Sequence, residues 1–208
     1  PAAERAADQA PRAPLAPDSR RRVLGLAALF SLDAFGGGFI VTSLLSLWLA
    51  ERFGLDVAAL GAVFFATGVC SALSYLAAVP LARRFGLVNT MVFTHLPSSV
   101  LLVLVPFAPD GITAVALLVA RSLLSNMDVP TRSSYVMAVV RPEERPAAAS
   151  FTTVPRSLAA AGAPLLSGWL IGVSAFGWPL VLAGGLKIIY DLLLLRAFAR
   201  VRPPEESG

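Results

Sequence analysis

Charge is scarce in this chain. Of 208 residues, 14% are Asp, Glu, Lys or Arg, against about 25% in a soluble domain. Cysteine is nearly absent: Cys70 stands alone mid-segment, which excludes a disulfide framework and a thiolate metal site. Histidine is equally rare, and His95 by itself cannot build a metal cluster. No metal or cofactor is expected. What the chain has instead is apolar sequence. It is 56% hydrophobic with a mean hydropathy of +0.73, so lipid rather than water is the expected solvent for most of it.

Six long apolar segments account for this composition: about 23–49, 57–82, 87–107, 112–139, 147–172 and 177–197. Each is long enough to cross a bilayer core as a helix. Open strand edges cannot be satisfied in lipid, so the fold class is all-α, a polytopic membrane protein of six transmembrane helices. The expected organisation is a flexible, Pro/Ala-rich tail or linker over 1–19, a bundle over 20–200 and a short tail over 201–208. Residues 1–22 contain Glu4, Asp8, Asp18 and several prolines, and the apolar run after them exceeds a signal peptide's core. The chain begins with Pro1 rather than Met, and a fragment of a longer protein is expected.

The net charge of +4 comes from 17 basic residues, 16 of them Arg. In a soluble protein this would suggest nucleic acid. Here the arginines sit at segment ends, where they act as topology determinants, and no nucleic-acid partner is expected. Twelve fall on one side of the six crossings and only Arg52 on the other; Arg121, Arg132, Arg156 and Lys187 lie within segments. Both termini are therefore expected in the cytoplasm of a cell (inner or plasma) membrane protein, with the bilayer as a partner.

Two segments carry breaks. Gly36, Gly37 and Gly38 interrupt the first, and Asp128-Val129-Pro130 the fourth. Each is the first helix of a triplet, and the triplets have opposite orientation, so a 3+3 inverted repeat is expected. Interrupted helices at matching positions of inverted repeats point to a transport pathway. The glycines also permit close helix packing, and Pro130 is a kink site.

Charges within lipid cost about 2.5–3.5 kcal/mol each at the bilayer centre, so each needs a partner or a wet cavity. Asp33 lies eleven residues past Arg22, about 16 Å into the membrane at about 1.5 Å per residue. It reads equally as a protonatable carboxylate on a cavity wall and as the partner of an arginine. Asp128 and Arg132 are i,i+4 neighbours, expected to form a structural or gating pair, with Arg132 nearer the cytoplasmic side. Arg121 and Arg156 lack a local acid. Arg121 is expected to attract an anionic group or to pair with Asp33, and Arg156 to take Asp33 or Asp128. Lys187 and Asp191, also i,i+4, are expected to neutralise each other. His95 is expected to be packed or hydrogen-bonded rather than a proton relay.

Four features resemble the C-terminal half of a major facilitator superfamily transporter. Val79-Pro-Leu-Ala-Arg83-Arg84-Phe-Gly86 is similar to the family's cytoplasmic loop motif between the second and third helices of each half. Arg84 and Gly86 match it, while Val79, Arg83 and Leu87-Val88 replace its glycine, acid and trailing basic pair. Arg121 through Arg141-Pro-Glu-Glu144-Arg145 resembles the fourth-or-tenth helix and its acidic-Arg loop. Gly162-Ala-Pro164-Leu-Leu-Ser-Gly168 resembles a weakened antiporter motif, with Ala163 and Ser167 where glycines are typical. The charged, Pro-rich start resembles the loop joining two halves, and MDVPTRSSYVMAVV resembles bacterial members.

The resemblance implies half of a 12-helix fold and transport of a small solute by alternating access. The buried carboxylates suggest proton coupling, with H+ as a partner, and proton-coupled efflux is one mode this allows; the sequence names neither substrate nor direction. It implies a missing N-terminal six-helix half, or a second copy if the chain is a dimerising half-transporter. It places Asp33, Arg121, Asn126, Asp128, Arg156 and Tyr75 on the pathway, with Ser71 and Ser74 beside them, and assigns loop gating to Arg84, Gly86, Arg132, Glu144 and Arg145. The competing classes are weaker. An intramembrane serine protease needs a Gly-x-Ser-Gly site that the chain lacks, and nothing after Tyr190-Asp191 supplies an aspartyl protease's second motif. An enzyme is not expected. A non-transporting scaffold or sensor remains the alternative, but it would have no use for midplane charges.

Overall fold

The computed structural model describes residues 15–198. The expected tail over 201–208 and most of the expected linker lie outside them. The described residues are helical, without strands. In chain order they form α1 (Pro17–Gly38), α2 (Thr42–Phe53), α3 (Val57–Phe85), α4 (Leu87–Leu104), α5 (Gly111–Ser122), α6 (Asp128–Ala138), α7 (Arg145–Val173) and α8 (Trp178–Phe198). Short 3-10 turns cover Val105–Phe107 and Pro142–Glu144.

The helix ends follow from local chemistry. Pro17 occupies the first turn of α1, where no amide donor is needed, and Asp18 faces the positive end of the helix dipole. Asp56 caps α3 by accepting from the Ala59 amide at 2.8 Å. Asp110 caps α5 in the same way, accepting from the Thr113 amide at 2.8 Å. The Thr113 amide bond holds the Asp110 carboxyl below its ordinary range. Gly86 separates α3 from α4 at φ +83°, a conformation that glycine adopts without strain.

Four helical stretches are long and apolar enough to cross a membrane: Pro17–Phe53, Val57–Phe85, Leu87–Phe107 and Trp178–Phe198. These match the first, second, third and sixth segments expected from sequence. The expected fourth segment is divided into α5 and α6, of 12 and 11 residues. The fifth is α7, 29 residues long but diluted by Arg156 and hydroxyl side chains. Large apolar side chains stand exposed on the outer faces of α3 and α7, among them Phe65, Leu76, Leu158, Leu165 and Trp169. Such a surface suits lipid or another membrane-embedded partner.

The connectors gather at two ends. At one end, Phe53 packs beneath Gly111, the Trp48 indole donates to the Ala175 carbonyl at 3.1 Å, and Phe107 meets Phe176 edge-on. At the other end, the Ala16 amide and Ser19 hydroxyl donate to Glu144 at 2.6 and 2.7 Å. Val23, Val88, Val139, Val140 and Phe198 join one apolar cluster there. Successive connectors thus alternate between the ends.

Both helix interruptions differ from expectation in place. The glycine run does not break α1, which continues through Gly38; the gap is Phe39–Val41. The glycines serve packing instead. A Cβ on Gly38 would lie 2.5 Å from the Ala160 carbonyl oxygen and 2.7 Å from the Ala163 Cβ, so α1 meets α7 at backbone distance. Gly36 packs against Ala183 and Leu186 of α8, and Gly37 near Lys187. A second tight crossing sets Gly184 of α8 against the Ser99 carbonyl of α4. In the fourth segment the gap is Leu123–Met127, ahead of Asp128. Pro130 lies in the first turn of α6, where its missing amide costs nothing. It starts a helix rather than breaking one.

Each gap exposes backbone polar groups, and a serine from a neighbouring helix satisfies one of them. Ser167 of α7 donates to the Phe39 carbonyl at 2.6 Å. Ser74 of α3 accepts from the Asn126 amide at 3.3 Å. Irregular backbone at membrane depth requires such partners.

Candidate functional site

Two apolar clusters fill the ends of the bundle, and a polar layer separates them. The first contains Leu26, Phe30, Met91, Tyr135, Tyr190 and Leu194. The second contains Phe39, Trp48, Leu102, Leu118, Ala163 and Leu180. Between these positions lie Asp33, His95, Asp128, Arg132 and Lys187, with Asp191 at the edge of the first cluster beside Tyr190, all buried.

Asp33 is the hub. Its Oδ1 accepts from Lys187 Nζ at 2.6 Å and its Oδ2 from Arg132 Nη2 at 2.8 Å. The same Arg132 nitrogen donates to Asp128, and its guanidinium stacks over Phe30 and Tyr190, 5.0 and 5.8 Å from the ring centroids. These contacts hold the guanidinium in a fixed plane. His95 Nδ1 lies 3.0 Å from both Asp191 carboxylate oxygens, and its Nε2 lies 3.6 Å from Asp33 Oδ1. The ring also meets Tyr190 edge-on.

The imidazole therefore stands between two carboxylates. Donation from Nδ1–H to Asp191 leaves Nε2 facing Asp33. If that nitrogen carries no proton, two acceptors face each other; a proton on either group removes the conflict.

Beside this layer opens a cavity of about 470 Å³, within the range of small-molecule sites. Asp33, Arg121, Asn126, Asp128 and Arg156, all expected on the pathway, line it. His95, Arg132 and Lys187 line it too. Ser71 and Thr67 supply hydroxyls from α3, and Ser122 and Ser125 from α5 and the gap after it. Tyr75 is not on the wall. It is 44% exposed, on α3 away from the cavity lining, one helical step of about 100° from Ser74, which bonds Asn126.

Several expected pairings are replaced. Lys187 and Asp191 do not neutralise each other: Lys187 reaches across to Asp33, and Asp191 turns to His95. Asp33 pairs with Lys187 and Arg132, not with Arg121 or Arg156. Among the described residues, Arg121 and Arg156 have no carboxylate within ion-pair distance, and the Nε of each is buried without a hydrogen-bond acceptor. Arg132 does pair with Asp128 as expected, but it belongs to the buried layer rather than to a loop at the interface. An i,i+4 rule sees only one helix, whereas these side chains choose among acids on three.

The remaining loop positions lie at the bundle ends. Arg84 is exposed, with its guanidinium over the Phe85 ring at 5.4 Å. Gly86 turns α3 into α4. Glu144 is buried and joins the start of α1 to the α6–α7 loop; the Ala16 amide, with Ser19, holds its carboxyl below its ordinary range. Arg145 Nε donates to the Met137 carbonyl at 3.2 Å.

The comparisons with known proteins agree with this architecture. The Major Facilitator Superfamily profile matches residues 26–208. The uncharacterized membrane protein YJR124C of Saccharomyces cerevisiae is 24% identical over 180 residues, covering 86% of this chain and 40% of that relative. The chain thus spans about 40% of the length of the curated relative it matches. With nearly the whole helical bundle inside the matched region, the chain belongs to the Major Facilitator Superfamily, a membrane transporter family, and is a multi-pass membrane protein.

Proposed function

We propose that the chain is one six-helix half of a secondary active transporter that moves a small solute by alternating access. A second half, joined in the same polypeptide or supplied by a second copy, completes the pathway across the cavity. The observation that carries this reading is the 470 Å³ cavity lined by charges from several helices and flanked by the interruptions at Phe39–Val41 and Leu123–Met127. Two three-span units supply the 3+3 inverted repeat in this reading, α1–α4 with α1 and α2 as one interrupted span, and α5–α8 with α5 and α6 as another. The alternating connectors and the arginine asymmetry support six crossings with both ends in the cytoplasm of a cell membrane.

Proton coupling is the mode we favour. His95 stands between Asp33 and Asp191, so a proton can be held within this group, and His95 and Asp33 both line the cavity through which it would exchange. A proton moving inward down its gradient would drive solute outward. Lys187 and Arg132 hold the Asp33 carboxylate, and Asp128 shares Arg132, so release of Asp33 from Lys187 or Arg132 would couple protonation to movement of α8 or α6.

The test is solute flux in proteoliposomes containing the full chain, with an imposed pH gradient. Flux should rise with the gradient and lose that dependence in Asp33→Asn and His95→Gln. Flux that ignores pH between about 5 and 8 in the wild type refutes the coupling. No flux of any solute supports a scaffold or sensor instead.

A further inference from the structure

We propose that Arg121 and Arg156 form a cationic clamp for the carboxylate or phosphate group of a small anionic solute; this rests on the reading of the cavity as the solute pathway. Four cationic side chains line the cavity, Arg121, Arg132, Arg156 and Lys187, against two carboxylates, Asp33 and Asp128. Lys187 and Arg132 are engaged by those carboxylates. Arg121 and Arg156 are left over, on α5 and α7, and both face the same space.

Their geometry is that of unfilled donors. The Nε of each is buried with no acceptor, although a buried donor left unmade is costly and a lone cation at membrane depth more so. The nearby acids do not answer them: Asp33 and Asp128 are occupied, and Asp191 is turned to His95. An anion entering the cavity would accept from both guanidinium groups. Carboxylate and phosphate fit the planar fork of arginine, which donates two parallel bonds to such groups. Asn126, Ser122 and Ser125 offer neutral partners on the same wall. A neutral solute could accept bonds from the guanidinium groups but would leave their charge unanswered, and a cation would meet the excess positive charge.

The experiment measures binding by the full chain in a nonionic, phospholipid-free detergent, using succinate and inorganic phosphate at matched ionic strength. Mannitol and choline are the uncharged and cationic controls. At least one anion should stabilise the protein saturably, and the controls should not. Arg121→Gln and Arg156→Gln should each weaken that binding tenfold or more, while Arg→Lys variants fall between, because charge is kept and the fork is lost. The unliganded Gln variants should melt no lower than the wild type, since they remove a cation with no partner. Failure of both anions to saturate, or unchanged affinity in the Gln variants, overturns the clamp. So does a lower melting temperature in them, which would mean that the arginines hold carboxylates elsewhere in the assembly. Anion binding without flux in proteoliposomes would leave the clamp and refute transport; mannitol flux without anion binding would do the reverse.

Discussion

Lys187→Met isolates the ion pair at the centre of the bundle. Methionine keeps the length and apolar stem of lysine, so packing changes little, while the 2.6 Å contact to Asp33 is lost. Both residues are buried, Lys187 at 7% and Asp33 at 4% exposure. Removing one partner of a buried pair costs about 3–5 kcal/mol, because the other charge is stranded. Asp33 is not wholly stranded: Arg132 still donates to its other oxygen at 2.8 Å, so the lower end, about 3 kcal/mol, applies. At about 2–4 °C per kcal/mol for a chain of this size, the melting temperature should fall by about 6–12 °C. Tryptophan fluorescence during thermal unfolding in detergent reads this directly. Asp33→Asn in the same background removes the stranded charge, so the double variant should recover by about 1–2 kcal/mol relative to the sum of the singles. A Lys187→Met protein that melts within about 1 °C of wild type, or a double variant equal to that sum, would refute the hub assigned to Asp33.

Further outcomes follow from the other contacts. Gly38→Val should lower stability by about 1–3 kcal/mol, because its Cβ would fall 2.5 Å from the Ala160 carbonyl; an unchanged melting curve would show that α1 and α7 do not meet there. The Glu144 carboxyl is held below its ordinary value, so the latch to Ala16 is fully present above that value and is lost as pH falls through the lowered one. Hydrogen exchange at the Ala16 amide, corrected for intrinsic rate, should accelerate on acidification and be fast at all pH in Glu144→Ala, which removes the acceptor; protection that survives both changes excludes the latch. Tyr75→Phe should leave flux and its pH dependence unaltered, since the ring lies off the cavity lining; a large loss would place that side chain in the path.

Much of the helical layout is legible because lipid imposes it: an apolar run of sufficient length has only one way to satisfy its backbone. Asp33, Arg121, Asp128 and Arg156 could be picked out because charge is costly at that depth, and all four line the cavity, with Asn126 beside them. Their partners could not. Lys187 and Asp191 look self-sufficient at i,i+4, yet Asp33 and His95 draw them apart across 154 and 96 residues of sequence. His95 carried no signal beyond its rarity; what makes it central is its position between two acids on other helices. The break positions were displaced for a related reason. Glycines and Pro130 mark where backbones can approach or helices can begin, whereas the gaps fall where Ser167 and Ser74 stand ready with hydrogen bonds.

Those two serines also set the compliance of the bundle. Bending α1 within its length would strain several laddered backbone bonds at once. Bending at Phe39 instead loads the turn bonds from the Phe39 and Ile40 amides to Gly36 and Gly37, with the Ser167 hydroxyl contact beside them; at Leu123–Met127 it loads the turn bonds to Arg121 and Asn126 and the Ser74 contact. A tilt of α2 against α1, or of α5 against α6, thus meets short turns rather than a continuous helical ladder, while the tight crossings at Gly38 and Gly184 stay shut. Both gaps adjoin the wall that holds Arg121 and Asn126, so a tilt there would reshape the cavity without parting the tight crossings around it.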